Sequence, residues 1–453
     1  MSVVVQTGSD RIMITKGSPE SIISISKMSA AEKEKTTKIY RTMGDEGYRA
    51  IAVAIKKIKK TEIAKEDERE MKFLGFVTFS DPPKKSVKEV LDVAKRLSIK
   101  IKLMSGDNTS ICRHTAKAVG FEFSEEQLMT GSDLEQLIAE KNEEKLKERI
   151  QNTVIFSRVS PVQKHFLTKK LRECGHSVAF LGDGVNDAPA IKEADVGISV
   201  NNAADITKEA ADIILVRKNI SAVVQGVSGG RKVFTNVVKY MINTLGGNFG
   251  DLYTIGVASA FMSFIPITAV QILLANFLTD APMVAISTDN VDDEELVKPS
   301  KWDVNGIVKI GALFGLVSTV FDLLLILYFV RADEAVFHTA IYIEVLLSEI
   351  VVIIALRSYK PFYKAEAISR PLGIAIMFVV IVGVAIVYSP YAQLFGFVPL
   401  PIGQFSVILV IIFLYFIATE LVKNVYAKMF RKGSIADEKT LALMRKKIYP
   451  ELH

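Results

Sequence analysis

The chain has 453 residues, a formal net charge of +6 and a mean hydropathy of +0.28. This length suffices for about two or three domains. The two cysteines, Cys112 and Cys174, stand alone, which argues against a disulfide framework or a thiolate metal site. Residues 1–230 are rich in Lys, Glu and Asp, whereas long apolar runs recur from about Val233. The sequence therefore predicts a soluble half followed by a membrane half.

Residues 1–55 are predicted to be rich in β-structure. VVVQ and RIMIT flank the turn sequence TGSD, which is typical of a hairpin, and GYRAIAVAI predicts a further strand. The charged stretch KKIKKTEIAKEDERE follows. We interpret that stretch as a loop at the edge of the next domain.

From about residue 71, predicted strands and helices alternate. FLGFVTF precedes KKSVKEVLDVAKRL, IKIKLM precedes NTSICRHTAKAVG, TVIFS precedes SPVQKHFLTKKLREC, SVAFLGD precedes NDAPAIKEA, and VGISV and ADIILV complete the set. Short apolar runs separated by helices predict an α/β fold with a doubly wound parallel sheet. Ligands of such sheets bind at the carboxyl ends of the strands.

Polar clusters fall at three of these predicted strand ends. They are Ser105, Gly106 and Asp107 after IKIKLM, Lys164 just inside a helix, and Asp183 with Asp187 after SVAF. Carboxylates beside glycines suit Mg²⁺ bound together with a phosphate. The Ser105 hydroxyl can hold phosphate oxygens, and Lys164 can neutralise charge on a transferred phosphoryl group. Each cluster alone is more often an ordinary loop or a solvated side chain than a site, but three in one sheet indicate a phosphate site.

Six apolar runs in the second half are long enough to cross a bilayer, since roughly 20 helical residues span about 30 Å of hydrocarbon. They are approximately 233–261, 266–288, 305–330, 338–357, 371–390 and 403–427. The connection 357–370 and the tail after residue 422 are basic, whereas 388–404 carries no charge. With no signal peptide at the start, we expect a multi-pass protein of the cell membrane whose residues 1–230 and C-terminus are cytosolic. The positive charge then reflects topology, and we expect no nucleic-acid partner.

Polar side chains inside predicted spans are costly in lipid and usually functional. The predicted set is Asn248 and Asp251 on the first span, Asn276, Thr279 and Asp280 on the second, and Glu344 with Ser348 on the fourth. Within each span these spacings place the residues on one helix face, and their oxygens are ligands that hard cations prefer. We therefore expect a site for a transported divalent cation. The alternative, polar contacts between helices without transport, applies most strongly to Glu349, which lies off the Glu344 face.

The stretch GDGVNDAPAIKEADVGIS at 182–199 resembles the hinge signature of P-type ATPases. Other motifs of that family follow its order. KGSPE at 16–20 resembles the KGxPE motif of the nucleotide domain, and GYRAIAVA resembles its arginine-bearing strand. SDPPKKSV resembles the hinge between the nucleotide and phosphorylation domains, MSGDN the TGD motif with Ser105 in place of Thr, and FSRVSPVQK the segment with a phosphate-contacting lysine. The resemblance covers essentially the whole chain.

This resemblance implies a role for each matched position. Lys16, Gly17 and Arg49 would contact ATP, Ser105, Gly106, Asp107 and Lys164 would surround the transferred phosphate, Asp183 would bind Mg²⁺, and Asn186 and Asp187 would complete the site. The implied domains are the C-terminal part of a nucleotide-binding domain at 1–68, a HAD-like phosphorylation domain at 69–228, six transmembrane helices within 229–432 and a cytosolic tail at 433–453. ATP and Mg²⁺ are the implied cofactors.

Several parts of the family's pump do not occur in these 453 residues. They are the DKTGT aspartate that becomes phosphorylated, the actuator domain that carries TGE, and the first four transmembrane helices. Because phosphoryl transfer to the enzyme needs a nucleophile, we expect the chain to be inactive alone. We expect it to act with an N-terminal half, either in a longer protein or encoded separately.

The identity of the transported ion is less sharply indicated. N-x-x-acid on the first span and NFLTD on the second resemble the cation site of calcium pumps, whereas NFGDLYTIGVASAF, STDNVDDEELVKPSKWDV and IEVLLSEIVV resemble the bacterial magnesium-transporting subfamily. That subfamily would be expected to carry Asn at the position of Asp251 and a different sequence around Asp280. We expect magnesium, with calcium as the alternative, and the lack of a CPC motif argues against the heavy-metal branch.

Two functions of other classes are also compatible with the sequence. The first is a non-catalytic membrane subunit that binds nucleotide or Mg²⁺ and regulates a partner. The second is a membrane-tethered phosphatase of the same α/β class, which would need its own aspartate nucleophile. Asp81 in FVTFSDPP is followed by two prolines, which cannot donate the backbone N–H groups of a phosphate loop. The phosphatase is therefore disfavoured.

Overall fold

A computed structural model describes residues 1–7, 10–58, 64–80, 87–217, 219–297, 299 and 302–430. The chain divides into unit 1, residues 1–95 and 99–224, and unit 2, residues 96–98 and 225–453. Most of the predicted hinge SDPPKKSV, including Asp81, and the whole predicted tail 433–453 lie outside the described residues.

The described residues form ten β-strands, all before residue 216. They are β1 (Ser2–Thr7), β2 (Asp10–Gly17), β3 (Arg49–Ile58), β4 (Lys72–Phe79), β5 (Leu103–Met104), β6 (Leu128–Thr130), β7 (Ile155–Ser157), β8 (Ala179–Leu181), β9 (Val196–Val200) and β10 (Ile213–Leu215). The helices of the same stretch are α1 (Pro19–Ile25), α2 (Ala30–Asp45), α3 (Val87–Arg96), α4 (Thr109–Val119), α5 (Gly131–Ala139), α6 (Glu143–Asn152), α7 (Pro161–Glu173), α8 (Ala188–Glu193) and α9 (Asp205–Glu209).

Strands β1 to β4 form an antiparallel sheet in sequence order. The predicted hairpin is confirmed by the pairing of β1 with β2, although Gly8 and Ser9 of its turn lie outside the described residues. The prediction that FLGFVTF opens the parallel set is wrong, because β4 pairs antiparallel with β3. Phe73 and Phe76 of β4 pack on the core of this sheet, whereas Leu74 is exposed. Apolar residues on both faces made the strand resemble a buried parallel strand.

The remaining six strands are parallel and are connected by helices, as the alternating pattern predicts. They form two three-stranded sheets in the described residues, with the orders β5-β7-β6 and β10-β9-β8, rather than one continuous sheet. The α-helices between strands cover buried apolar side chains such as Phe156, Leu134 and Leu167. The carboxyl ends of β5, β7 and β8 carry the three polar clusters.

Unit 2 is helical in its described residues. Its helices are α10 (Ile220–Phe261, which starts in unit 1), α11 (Ala269–Ala285), α12 (Asp293–Val297), α13 (Val304–Phe329), α14 (Glu334–Leu356), α15 (Arg370–Val387) and α16 (Ile402–Phe430). Five segments of the described chain are long and apolar enough to cross a membrane: Ala269–Thr288, Val304–Phe329, Glu334–Leu356, Arg370–Val387 and Ile402–Lys428. They agree with five of the six predicted spans. The other predicted span, 233–261, lies within α10, which is not among the five, and it stays a prediction.

Helix α14 is the most buried of these five spans. In its most apolar 18-residue stretch 72% is buried, whereas the same figure for the other four spans is 44% or less. Tyr342, Ile343 and Leu346 of this helix are fully buried. A helix enclosed on nearly all sides is expected to be apolar all round, which makes the buried Glu344 exceptional.

Helices α10 and α13 approach each other closely through glycines. A Cβ atom added at Gly311 would lie 2.8 Å from Leu245 Cβ, and one added at Gly315 would lie 2.6 Å from Phe249 Cβ. Since side chains do not tolerate such separations, both positions of α13 require glycine. Small residues four positions apart are a common means of packing helices in lipid, where no hydrophobic effect drives them together.

A buried ion pair connects the segments that follow α11 and α14. Arg357 donates from Nε to Asp289 Oδ2 at 2.8 Å and from Nη2 to Asp289 Oδ1 at 3.1 Å. The side chains are 5% and 0% exposed. The N–H of Ser369 donates to Asp289 Oδ1 at 3.0 Å, and Arg357 Nη2 also donates to the carbonyl of Ala367 at 3.0 Å. The pair therefore holds three chain segments together.

We predict that Asp289→Ala destabilises unit 2 by about 3–5 kcal/mol, because it leaves a buried guanidinium without its counter-charge. Thermal unfolding of the full chain in detergent measures the effect. Asp303→Ala is the matched control, since Asp303 is an aspartate that only caps α13 and its loss should cost about 1 kcal/mol. A loss for Asp289→Ala no larger than that of the control would contradict the prediction.

The two cysteines provide a second test of the packing. Burial, with a further contribution from the Asp107 carboxylate, raises the pKa of the Cys112 thiol to about 11. Cys174 is only partly buried. Because the thiolate is the reactive form, we expect iodoacetamide at roughly pH 8 to modify Cys174 at least about 100-fold faster than Cys112. In Cys174→Ser no rapidly labelled thiol should remain, and two rapid thiols in the native chain would show that Cys112 is not buried.

Candidate functional site

The loop Ser105–Asp107 begins directly after β5 and is fixed by its own polar groups. The N–H of Ser105 donates to the carbonyl of Phe156 on β7 at 2.9 Å, and Val159 N–H donates to the Ser105 carbonyl at 3.2 Å. Ser105 Oγ donates to Asp107 Oδ2 at 2.9 Å, and Asp107 N–H donates to Ser105 Oγ at 3.1 Å. The first polar cluster is therefore a compact turn at a strand end, with its hydroxyl and carboxylate side by side.

Arg49, the first residue of β3, reaches this loop from the antiparallel sheet. Its Nη2 lies 2.8 Å from Asp107 Oδ2, and the two side chains are 54% and 30% exposed. An ion pair this exposed contributes about 0–1 kcal/mol to stability. Its importance is therefore positional, because it brings the arginine predicted to contact nucleotide to the loop predicted to contact phosphate.

Lys164 is placed by the start of α7. Ser160 caps this helix, Pro161 occupies its first turn, and Gln163 completes a capping box with Ser160. These residues fix the orientation of the first turn, from which Lys164 extends to Asp187. The Lys164 Nζ to Asp187 Oδ1 distance is 2.7 Å, and the side chains are only 12% and 15% exposed. The second and third polar clusters are thus joined by a largely buried ion pair.

The turn after β8 is shaped around Asp187. Gly184 N–H donates to Asp187 Oδ2 at 3.3 Å, and Thr207 Oγ1 donates to the Gly184 carbonyl at 3.0 Å. A Cβ atom at Gly182 would lie 2.6 Å from Asp187 Cβ, so any side chain there would displace this aspartate. Asp183 and Asn186 are exposed beside it.

The carboxylates at this turn are suited to a Mg²⁺ ion that is bound together with a phosphate. Over the described parts of the chain, no three His, Cys, Asp or Glu side chains form a ready metal cluster. Asp187 is paired with Lys164, and the Asp183 side chain is exposed beside it. Mg²⁺ commonly takes one or two protein carboxylates and completes its octahedron with phosphate oxygens and water. Asp183 and its neighbours therefore fit a Mg²⁺ ion that arrives with a phosphate.

Lys16 and Gly17 lie at the end of β2, opposite Val53 and Ala52 of β3. The backbone of Lys16 exchanges hydrogen bonds of 3.0 Å with that of Met1, and its side chain is exposed. Both residues thus share a sheet with Arg49. Within the described residues, no hydrogen bond or ion pair joins their side chains to the polar clusters.

Arg158 is a residue that the sequence reasoning missed, although it lies within the quoted FSRVSPVQK. It follows β7 with a φ of 53°, a left-handed conformation that non-glycine residues rarely adopt. Its N–H donates to the Asp107 carbonyl at 2.9 Å, and its Nη2 pairs with Glu20 of the KGSPE motif at 3.0 Å. The available signal was a basic residue at the end of a predicted strand, in the same segment as Lys164.

In unit 2, only some of the residues predicted to bind the transported cation come together. Asp251 and Glu344 line one cavity of about 20 Å³, together with Thr254 and Asp322. The sequence reasoning missed Asp322, although a single acidic residue inside the apolar α13 was a readable signal.

Asn248, Asn276 and Asp280 have exposed side chains and do not line this cavity. Thr279 is buried, and its hydroxyl donates to the Ala275 carbonyl at 3.0 Å.

Glu349 lies off the Glu344 face, although both glutamates have Asp251 as a neighbour. A Cβ atom on Gly247 of α10 would lie 3.9 Å from Glu349 Oε1. Glu349 also lies within interaction range of Thr279 and Asp280 of α11. Its position off the Glu344 face therefore turns it toward the other residues predicted to bind the cation.

Comparisons with known proteins cover both units. The family model for haloacid dehalogenase-like hydrolases matches residues 16–195, and the one for the C-terminus of cation transporting ATPases matches residues 264–425. The chain is 32% identical over 450 residues to the magnesium-transporting ATPase, P-type 1, of Escherichia coli (strain K12), covering 95% of this chain and 49% of that protein.

Two further relatives are similar to this chain over most of its length. The magnesium-transporting ATPase, P-type 1, of Salmonella typhimurium (strain 14028s / SGSC 2262) is 33% identical over 406 residues, which is 87% of this chain and 44% of the relative. The calcium-transporting ATPase of Bacillus subtilis (strain 168) is 26% identical over 435 residues, which is 90% and 48%. The chain thus spans about half the length of the curated relatives it matches. From the two family matches and these relatives, we conclude that the chain belongs to the P-type cation-transporting ATPases and corresponds to their C-terminal part.

Proposed function

We propose that this chain supplies the phosphate-handling and ion-conducting parts of an ATP-driven pump that moves magnesium across the cell membrane. The observation that carries the proposal is the buried Lys164–Asp187 pair beside Asp183, in a unit of the HAD-like family that precedes the membrane helices. An ammonium held 2.7 Å from a carboxylate at a strand end is already positioned for a phosphoryl group. No new charge has to be recruited when the substrate arrives.

In this proposal each polar cluster has a separate task. Lys164 neutralises charge on the transferred phosphoryl group, and the Ser105 hydroxyl with the backbone N–H group of Gly106 holds its oxygens. Asp183 binds Mg²⁺, with Asn186 and Asp187 orienting it, and the ion when bound screens the negative charge of the phosphates. Asp187 stays ion-paired with Lys164 and keeps that side chain oriented.

ATP would be bound by Lys16, Gly17 and Arg49. Since Arg49 pairs with Asp107 at 2.8 Å, the triphosphate would compete with this carboxylate for the guanidinium. ATP binding would then release Asp107 to act at the phosphate loop. This exchange ties nucleotide binding to the state of the phosphorylation site.

The phosphoryl acceptor of the family, the DKTGT aspartate, does not occur in these 453 residues. The proposal therefore requires an N-terminal half that provides it, together with the actuator domain and the first four helices. It assigns residues 1–68 to the nucleotide-binding domain and 69–228 to the phosphorylation domain.

For the membrane domain, within 229–432, the proposal takes α10 as a sixth span. Six spans place residues 1–230 and the C-terminus on the same side, the cytosol, whereas five would not.

Magnesium is favoured because two relatives, aligned over 95% and 87% of the chain, are magnesium-transporting ATPases. In unit 2 the cation would be bound by Asn248, Asp251, Asn276, Thr279, Asp280 and Glu344. The similarity to a calcium-transporting ATPase keeps calcium as the second candidate. Stimulation of ATP hydrolysis by one ion and not by the other decides between them, and no stimulation by either would favour a regulatory membrane subunit.

We predict that Asp183→Asn abolishes Mg²⁺-dependent phosphorylation in a complete pump that includes this chain, because the metal loses its carboxylate. Binding of a fluorescent ATP analogue should stay nearly unchanged, since Asp183 is not among the proposed ATP contacts. Phosphorylation from radiolabelled ATP is the measurement. Asp205→Asn is a matched control, because that side chain is 90% exposed and pairs only with Lys208 in its own helix. Full phosphorylation of the Asp183 variant would remove Asp183 from the metal site.

We predict that Asp280→Asn spares phosphate chemistry but weakens the dependence of ATP hydrolysis on the transported cation, by roughly 10–100-fold in half-saturating concentration, as expected for loss of one charged ligand. Titration of ATPase activity with Mg²⁺ at a fixed, saturating concentration of Mg-ATP measures this. Asp333→Asn, which removes an exposed aspartate before α14, should have no effect. An unchanged cation response would exclude Asp280 from the transport site.

A further inference from the structure

Asp322 is the acidic residue of α13 that faces α10. Only 5% of its surface is exposed. Its Oδ2 accepts a hydrogen bond of 2.5 Å from Thr254 Oγ1 on α10, and its Oδ1 accepts one of 3.5 Å from Ser318 Oγ on its own helix. The close approach at Gly311 and Gly315 brings the two helices within this range. The carboxylate is thus held in a defined orientation away from water.

Glu344 of α14 lines the same cavity and is only 1% exposed. Its Oε1 accepts no hydrogen bond from a donor among the described residues, although the carboxyl group lies within hydrogen-bonding range of Asp322 and Ser348. A buried carboxylate oxygen without a partner costs several kcal/mol, more than a neutral group would. Such an atom beside a cavity indicates an occupant that can interact with negative charge.

The charges around the cavity are of one sign. Asp251, Asp322 and Glu344 contribute three carboxylates, and none of the described residues that line the cavity is basic. Carboxylates in a spanning segment are otherwise paired with a cation or with one another. The positive charge expected here is therefore either a bound cation or a proton shared by Asp322 and Glu344, which lie within hydrogen-bonding range of each other.

The cavity is small enough to exclude all but a single ion or a single water molecule. A volume of about 20 Å³ holds one water-sized occupant. Carboxylate and hydroxyl oxygens are the ligands of hard divalent cations, and such an ion would have to lose most of its water to enter. Within the described residues no three acidic side chains already form a closed metal cluster, so the ion would draw these carboxylates together.

We propose that Asp322, together with Glu344, Asp251 and Thr254, forms a second cation position on the α13 side of α10. It shares Asp251 and Glu344 with the proposed transport site but not Asp280, which does not line the cavity. The inference rests on the proposed cation transport and extends it, because it adds α13 to the ion path. Thr254 acts as a positioning residue that orients the Asp322 carboxylate.

The competing interpretation is a structural hydrogen bond between α10 and α13 that has no role in cation binding. A change in the thermal stability of Asp322→Asn does not distinguish the two interpretations. Only the cation position predicts lower metal affinity in protein that remains folded. Metal affinity is therefore the decisive measurement.

The experiment uses the full chain purified in detergent and Mn²⁺ as a paramagnetic substitute for Mg²⁺. Bound and free Mn²⁺ are distinguished by electron paramagnetic resonance, and all variants carry Asp183→Asn to remove binding at the phosphate site. We expect Asp322→Asn to weaken one class of bound Mn²⁺ by about 10–100-fold. Glu334→Gln, on α14 but 62% exposed and away from the cavity, is the matched control and should bind as the parent does.

Asp280→Asn in the same assay separates the two proposals. If Asp280→Asn weakens Mn²⁺ binding and Asp322→Asn does not, the second position is overturned and the proposed function stands. If neither weakens binding, both the second position and the proposed transport site fail. If Asp322→Asn does not fold, Thr254→Val decides: about fivefold weaker binding supports the position, and unchanged binding overturns it.

Discussion

A charge that leaves water needs a counter-charge or a set of hydrogen bonds, and this requirement determines where the ionic groups of the chain lie. Arg357 and Asp289 meet it almost completely, with each other and with the backbone of the following segment. Lys164 and Asp187 meet it with their contact at 2.7 Å and one hydrogen bond from Gly184 N–H to Asp187, which leaves capacity for a ligand. The carboxylates of Asp251, Asp322 and Glu344 line one cavity, and none of the described residues that line it is basic. The degree of compensation thus separates structural pairs from sites that can exchange partners.

Unit 1 assembles its site from two kinds of sheet. The parallel strands β5, β7 and β8 present turns at their carboxyl ends, and these turns carry the hydroxyl, the lysine and the carboxylates. The antiparallel sheet contributes Arg49, and Glu20 joins it through Arg158. Contacts between residues far apart in sequence therefore bring nucleotide-side and phosphate-side groups together. Under the proposed function, motifs scattered from residue 16 to residue 199 would serve one reaction.

Local pattern predicted much of this fold, because strand–helix alternation, turn residues and apolar length are properties of short segments. It failed where two environments look alike, as for β4, whose two apolar faces resemble a buried parallel strand. Among the site residues, motifs located the turns at Asp107 and Asp187, but the 58-residue separation of Arg49 from Asp107 gives no local signal of their contact. In unit 2 the side of a span that faces lipid and the side that faces protein are equally apolar. For that reason the sequence could not predict which helices are neighbours, and therefore which residues lie beside Asp251.

The glycines of α13 limit how far the spacing of α10 and α13 can change between related membrane domains. At Gly311 and Gly315 the two helix backbones are nearly in van der Waals contact, so the separation of α10 from α13 is at its minimum. Each methyl group added there would move the helices apart and lengthen the distance from Thr254 to Asp322, without altering either residue. Substitutions that change only the distance between the two helices could then alter ion preference during evolution, while every side chain that binds the ion stays the same.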